Sequence, residues 1–175
     1  MDLTKLVLPD AIKVSGKFYK IHTAHPYWFK FAEILGKEKP YLIEFDFLYL
    51  TDKPEDRQAG FDELYKFYYE KKELPKVESD GYDERVIDYN IDSDLIYAAF
   101  MQCYHIDLCD KEIHWHKVRS MIAGLYGTKL NDIMGYRCYH GKDKDMLKMK
   151  RMWSLPVILS AEEKEALEKF NAKFK

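Results

Sequence analysis

The sequence has few of the residues that mark turns and no run long enough to cross a membrane. Its 175 residues include 8 glycines and 6 prolines, too few for the many turns of an all-β sandwich. No stretch of about 18 uncharged apolar residues occurs, so no membrane span is predicted. The opening MDLTKLVLPD lacks the basic start and apolar run of a signal peptide. We therefore expect a soluble cytoplasmic protein.

The sequence also has few cysteines, a small net charge and none of the common catalytic motifs. Cys103, Cys109 and Cys138 are an odd number without disulfide-scaffold spacing, which suits a reducing compartment. The formal net charge of −2 excludes a strongly basic nucleic-acid binder. The sequence contains no GxGxxG, GxxxxGK[ST], GxSxG or HExxH pattern, which argues against nucleotide-binding, hydrolase and zinc-protease classes. We expect no catalytic centre and no cofactor, hence a protein that is not an enzyme.

The charges that are present are unevenly distributed along the chain. Residues 37–94 hold 9 basic and 17 acidic side chains, whereas residues 111–151 hold 10 basic and 4 acidic ones. Such a dipolar chain can self-associate or dock to an oppositely charged partner. The alternative is that these stretches form solvated faces of one domain.

Hydrophobic periodicity predicts a mainly α fold, a single domain over residues 1–175 with a small N-terminal β-hairpin. The hairpin covers 11–21, because apolar and polar residues alternate around Ser15-Gly16. Helices are predicted within 25–70: one from His25 or Pro26, a second over 40–50 where a strand is the alternative, and a third over 54–70. Residues 71–91, with Pro75 and Asp80-Gly81, read as a long exposed loop.

Further helices are predicted within 92–155. The first, from Asp92 or Ser93, is apolar almost all round, which is typical of a helix at the centre of a core. Others are expected over 111–123, 130–136 and 143–155. Three residues are predicted to lie in the core: Trp115, Phe100 and Leu95. A C-terminal helix over 160–175 begins with a capping box, Ser160 and Glu163.

The histidines and cysteines of the second half are the first candidates for a metal site. His105, Cys109, His114 and His116 lie within twelve residues, with Cys103, Cys138 and His140 elsewhere. On a helix, two residues separated by one other point about 200° apart, so His114 and His116 should not share an ion. We expect no structural zinc.

Paired acids are the second group of candidates. The pairs are Asp92 with Asp94, Asp107 with Asp110, and Asp143 with Asp145. Each stands at a predicted helix start or connection, where aspartate accepts hydrogen bonds from free N–H groups. Capping therefore explains their placement better than acid–base catalysis does.

One basic stripe and one apolar stripe are the candidates for partner docking. Lys144, Lys148 and Arg151 lie on the predicted basic helix, where Asp143 and Asp145 weaken the field that nucleic-acid binding needs. We therefore do not expect this helix to bind nucleic acid. We expect its basic side to face solvent or to dock onto an acidic protein surface. Leu167, Phe170 and Phe174 recur at helical spacing in the C-terminal helix, which packs on its own domain or docks to a partner helix.

Several ordered motifs together resemble the bacteriophage gene-product-fifteen (Gp15) family of tailed phages and prophages. The motifs are Leu8-Pro-Asp-Ala-Ile, Gly16-Lys-Phe-Tyr, Phe67-Tyr-Tyr, Asp94-Leu-Ile-Tyr-Ala-Ala-Phe, Tyr104-His-Ile-Asp-Leu, Ile113-His-Trp-His-Lys-Val-Arg, Gly124-Leu, Thr128-Lys-Leu, Ile133-Met-Gly-Tyr-Arg and the segment 148–156. They run in order through nearly the whole chain. His116, where such sequences often carry an aromatic residue, and the stretch 71–91 depart from the pattern.

The resemblance implies a product of the tail-morphogenesis module of long-tailed phages, encoded between the tail tube and tape-measure genes. It implies a tail assembly chaperone in the host cytoplasm that binds the tape measure and helps tail tube subunits to assemble. The alternative is a structural virion component, such as a neck or tail-completion protein. An enzyme or a nucleic-acid-binding protein is a more distant third.

Overall fold

The computed structural model describes residues 7–70 and 85–156. Within these ranges the elements are β1 (Ala11–Val14), β2 (Lys17–Lys20), α1 (His25–Leu35), a 3₁₀ helix (Leu42–Leu48), α2 (Arg57–Tyr69), α3 (Ser93–Tyr104), α4 (Trp115–Ala123), α5 (Lys129–Arg137) and α6 (Lys144–Trp153). The predicted mainly α fold with an N-terminal hairpin is therefore confirmed. The predicted helix over 160–175 lies outside the described residues.

The hairpin forms where the sequence predicts it. Its strands pair antiparallel, and the two-residue turn has positive φ at both Ser15 (48°) and Gly16 (87°). These angles match the turn whose twist suits a right-handed strand pair. Ile12 and Val14 are buried on one face of β1, which packs against α2. A two-stranded hairpin is marginal alone, so this helix contact stabilises it.

Aromatic rings form the centre of the core. Trp28 of α1 stacks on Phe67 at 4.7 Å between ring centroids, and Trp115 of α4 stacks on Tyr68 at 5.1 Å. Both indoles are fully buried and satisfied, since each Nε1–H donates to a carbonyl oxygen at 2.9 Å. The predictions that Trp115 and Phe100 lie in the core are confirmed, whereas Leu95 is only half-buried.

The second predicted helix is a 3₁₀ helix over Leu42–Leu48, neither the α-helix nor the strand expected over 40–50. Phe45 and Leu48 are its buried residues, and they are three positions apart. A spacing of three matches the three residues per turn of a 3₁₀ helix, so both side chains reach the core from one face. The predicted helix over 111–123 also begins late, at Trp115. The residues just before α4 are extended, because His25 N–H donates to the carbonyl of Ile113 and Trp115 N–H donates to the carbonyl of Thr23.

Two expectations about burial are wrong. Helix α3 buries only one face, with Ile96, Ala99 and Phe100, while Tyr97 and Met101 are 37% and 39% exposed. It therefore lies at the edge of the core and not at its centre. Of the exposed loop predicted over 71–91, residues 71–84 lie outside the described residues. In the remainder, residues 86–89 are half-buried, because Tyr89 packs on Phe29 at 5.2 Å and on Trp115 at 5.8 Å.

Candidate docking surfaces

A cleft of about 440 Å³ lies between the end of α1, the end of α2 and residues 85–90. We call it the tyrosine cleft and define it by its apolar and aromatic lining: Leu35, Tyr68, Tyr69, Ile87 and Tyr89. Ala32, Gly36 and Val86 complete the uncharged part of the wall. A concave surface of this composition suits apolar side chains of a ligand.

The tyrosines of the cleft are held by the core behind them. Tyr68 stacks on Trp115 at 5.1 Å between ring centroids, and Tyr89 packs edge-on to the same indole at 5.8 Å. Tyr69, 41% exposed, packs edge-on to Tyr68 at 4.8 Å. Burial raises the pKa of Tyr68, Tyr69 and Tyr89, so all three hydroxyls stay protonated at neutral pH. The base of the cleft is therefore aromatic and uncharged.

Two charged residues at the rim of the cleft, Arg85 and Asp88, are paired with neighbours. Arg85 donates from Nη1 to Asp88 at 2.9 Å and from Nη2 to the carbonyl of Pro156 at 3.0 Å. Asp88 Oδ1 also accepts from the backbone N–H groups of Asn90 and Ile91 at 2.9 Å each. Glu33, which is exposed, also lines the cleft, so the rim is polar and carries charges of both signs around the apolar interior.

A buried ion pair fixes the segment that forms one wall of the cleft. Arg137 at the end of α5 donates to both carboxylate oxygens of Asp92 at 2.7 and 2.9 Å. The same guanidinium donates to the carbonyls of Val86 and Trp153 at 2.9 and 2.8 Å. Asp92 is 1% exposed and Arg137 5% exposed. One side chain thus ties the cleft wall, the start of α3 and the end of α6 together.

The electrostatics of Asp92 follow from this environment. Burial alone raises the pKa of the Asp92 carboxyl. The hydrogen bonds from Arg137 and the Asp88 N–H, with the positive charge of Arg137, lower this pKa by more, so the net direction is down. The interpretation of Asp92 as a capping residue is wrong: it occupies the N-cap position of α3 without a side-chain capping bond. Arg137 lies 45 residues away in sequence, so no local pattern indicates the pair.

In the other two acidic pairs, Asp143 and Asp107 accept hydrogen bonds from backbone N–H groups as the sequence predicts. Asp143 caps α6 by accepting from the N–H groups of Asp145 and Met146. Asp107 accepts from the N–H of Cys109 at 2.8 Å and from the hydroxyl of Tyr97 at 3.1 Å. These bonds account for both carboxylates as local structural groups.

The structure brings the three basic docking candidates to one face. Lys144, Lys148 and Arg151 recur at positions i, i+4 and i+7 of α6 and are all exposed. We call this exposed side, together with Met152, the basic face of α6. Lys150 lies on the opposite side, where it donates to the carbonyl of Tyr139 at 3.2 Å. The other docking candidates, Leu167, Phe170 and Phe174, lie outside the described residues.

The histidines proposed for a metal site are engaged elsewhere. His114 is the N-cap of α4 and accepts from the N–H of His116, while its Nε2 lies 3.0 Å from the carbonyl of Pro9. His116 donates from Nε2 to the carbonyl of Phe67 at 2.9 Å. Burial lowers the pKa of both rings.

The prediction that His114 and His116 point away from each other on one helix is wrong. His114 precedes α4, and the two ring centroids are 5.0 Å apart. Cys109, Cys138, His105 and His140 are exposed, and Cys103 is half-buried. In residues 7–70 and 85–156, no three His, Cys, Asp or Glu side chains are grouped closely enough to hold a metal ion.

Sequence reasoning missed the tyrosine cleft. The run Phe67-Tyr68-Tyr69 was a visible signal, but an aromatic run at helical spacing equally predicts core residues. The contribution of residues 85–90 could not be found from the sequence, because it depends on packing against α1.

No helix in the described part of the chain is long and apolar enough to span a membrane. Comparison with known protein families gives one match: the family described as Bacteriophage Gp15 protein matches residues 5–175. No curated protein and no solved structure matches the chain.

Proposed function

Because the chain belongs to the Bacteriophage Gp15 protein family, which makes it a phage structural or assembly protein, we propose that it is a tail assembly chaperone. In this role it binds the phage tape-measure protein and helps tail tube subunits to assemble around it. The observation that carries the proposal is the family match over 5–175. The host cytoplasm is the compartment in which these subunits meet, so we place its action there.

The tyrosine cleft is the surface we propose for the tape-measure partner. An amphipathic helix docks by placing apolar side chains spaced at i, i+3 and i+4 into a hydrophobic groove. The cleft offers Leu35, Tyr69 and Ile87 as apolar contacts and a polar rim that includes the ion pair of Arg85 and Asp88. Tyrosine contributes large contact area with little loss of side-chain entropy, which favours binding.

The proposed action is binding without catalysis. Perturbed titratable groups in a cleft are the usual sign of an active site. Here the buried Asp92 pairs with Arg137, the buried His116 donates from Nε2 to a backbone carbonyl, and neither side chain lines the tyrosine cleft. This arrangement supports a protein that is not an enzyme.

The test is binding of tape-measure fragments from the same phage genome. Overlapping fragments of the tape measure are labelled and titrated with the protein, and the dissociation constant is measured by fluorescence anisotropy. Tyr69→Glu places a charge in the cleft and should weaken binding at least about tenfold, as for the loss of a central aromatic contact. The matched control is Tyr126→Glu, since Tyr126 is 79% exposed and does not line the cleft.

Tyr126→Glu should keep the parent's melting temperature, because Tyr126 is 79% exposed. Tyr69 also packs on Tyr68, so Tyr69→Glu is compared with the parent at a temperature where circular dichroism shows both to be fully folded. If no fragment of the tape measure binds the parent protein, the chaperone role is refuted. If fragments bind and Tyr69→Glu binds as well as Tyr126→Glu, the role stands and the cleft is the wrong surface.

A further inference from the structure

Two exposed helix faces of this protein complement each other in charge and in apolar content. The first is the basic face of α6, with Lys144, Lys148, Arg151 and Met152. The second, which we call the outer face of α3, is formed by Asp94, Tyr97, Ala98 and Met101. We propose that the basic face of α6 docks onto the outer face of α3 of a second copy of this chain.

The outer face of α3 has the character of a contact surface. Its residues recur at i, i+3, i+4 and i+7, so they form one stripe along the helix opposite the buried Ile96, Ala99 and Phe100. Tyr97 and Met101 are 37% and 39% exposed, and Ala98 between them leaves room for a close approach. Methionine and tyrosine are typical of surfaces that bind other proteins.

The rim of the same face is acidic. Asp94 lies in the first turn of α3, and Asp107 accepts a hydrogen bond from the Tyr97 hydroxyl at 3.1 Å. A partner that covers this stripe must therefore bring positive charge to its edges and an apolar residue to its centre. Lysine and arginine stems also cover apolar surface while their charged ends stay in water.

The basic face of α6 meets these requirements. Lys144, Lys148 and Arg151 form its charged row, and Met152, 62% exposed, stands beside them. Asp145 is also exposed on the side of Met152, so the face carries three positive charges and one negative charge. No residue of α6 is fully buried, so the helix presents much of its surface outward. The two helices also match in length, with 12 residues in α3 and 10 in α6.

One copy cannot satisfy both faces by itself. Helix α5 packs against α3 on one side and against α6 on another, and both faces point to solvent. A single contact joins the α6 face of one copy to the α3 face of the next, so the first copy keeps a free α3 face and the second keeps a free α6 face. Such an interface propagates into a ring if the rotation closes and into a filament if it does not. This inference does not use the tyrosine cleft and is independent of the chaperone role.

The test is the association state of the full chain by sedimentation velocity, from about 1 to 200 μM. We expect concentration-dependent assembly that weakens as salt rises, because the rim charges are exposed and screened. Two variants should each abolish it: Met101→Lys on α3, and Lys148→Ala with Arg151→Ala on α6. Their matched controls are Ile43→Lys and Lys20→Ala with Lys39→Ala, which change exposed residues outside both faces.

Mixing the two defective variants distinguishes a contact between the α3 and α6 faces from a contact between two copies of the same face. The intact α6 face of the Met101→Lys copy can still dock onto the intact α3 face of the other variant, so the mixture should form dimers and nothing larger. Three results would overturn the proposal: a monomer at every concentration, variants that assemble like their controls, or a mixture that stays monomeric. Circular dichroism melting of each variant shows that the chain remains folded.

Discussion

Removing the guanidinium of Arg137 is the most informative stability test of the fold. In the folded protein this group makes four hydrogen bonds, two to the buried Asp92 and two to backbone carbonyls. Arg137→Ala leaves a carboxylate that is 1% exposed without its counter-charge. Breaking one partner of a buried ion pair costs about 3–5 kcal/mol, because the remaining charge is desolvated and uncompensated.

The assay is urea denaturation followed by far-ultraviolet circular dichroism at pH 7. The midpoint should fall while the dependence of the unfolding free energy on urea stays unchanged, which is the sign of a pure stability loss. Arg137→Lys should lie between the parent and Arg137→Ala, because lysine keeps the charge and loses the planar two-pronged geometry. A loss below about 1 kcal/mol for Arg137→Ala, the range of an exposed ion pair, would refute the reasoning.

The pH dependence of this loss gives a second check. Since the net effect of the site is to lower the pKa of Asp92, the pair stabilises the folded state above the ordinary aspartate pKa of 3.8. That contribution disappears as the pH falls through the lowered folded-state value. The difference in unfolding free energy between the parent and Arg137→Ala should therefore shrink below pH 4, and a difference that stays constant into acid would contradict the assignment.

Three further predictions concern the core, the histidines and the backbone. Trp115→Ala should cost about 3–5 kcal/mol in a urea titration, because a fully buried indole leaves a cavity; a change within about 0.5 kcal/mol would refute its core placement. Burial lowers the folded-state pKa of three histidines below the ordinary 6.5, so stability should be full above pH 6.5 and fall as the pH drops toward 5; a flat profile would contradict this for His25, His114 and His116. Gly16→Ala should destabilise the hairpin, since φ at Gly16 is 87°. Gly135→Ala in α5, where an added Cβ meets open space, should raise the unfolding free energy by about 0.5–1 kcal/mol. Melting temperatures that shift in the same direction for Gly16→Ala and Gly135→Ala would contradict these two glycine predictions.

Local signals in the sequence predicted the local elements well. The alternation around Ser15-Gly16 indicates the hairpin, and Pro26 with Trp28 and Phe31 indicates α1. These features depend on the chain's own turn chemistry and periodicity, which act over a few residues. The prediction for residues 40–50 was less accurate, because a short aromatic run is compatible with α-helix, 3₁₀ helix and strand alike.

Features that depend on tertiary packing could not be read from the sequence. Helix α3 reads as apolar all round, yet only the side facing α5 and the core is covered, which leaves Tyr97 and Met101 exposed. The pair of Asp92 and Arg137 joins segments 45 residues apart, and each partner alone resembles an ordinary helix-terminal charge. The tyrosine cleft likewise requires α1, α2 and residues 85–90 to meet in space.

Quantitative mass spectrometry of purified virions tests the central claim most directly. The phage that encodes this protein is grown, its virions are purified, and peptides of the protein are counted against those of the tail tube protein from the same particles. An assembly chaperone acts during tail construction and then leaves, so we predict abundant peptides in the infected-cell lysate and only trace amounts in virions. A fixed stoichiometric number of copies per particle would contradict the chaperone role and identify a structural component of the virion.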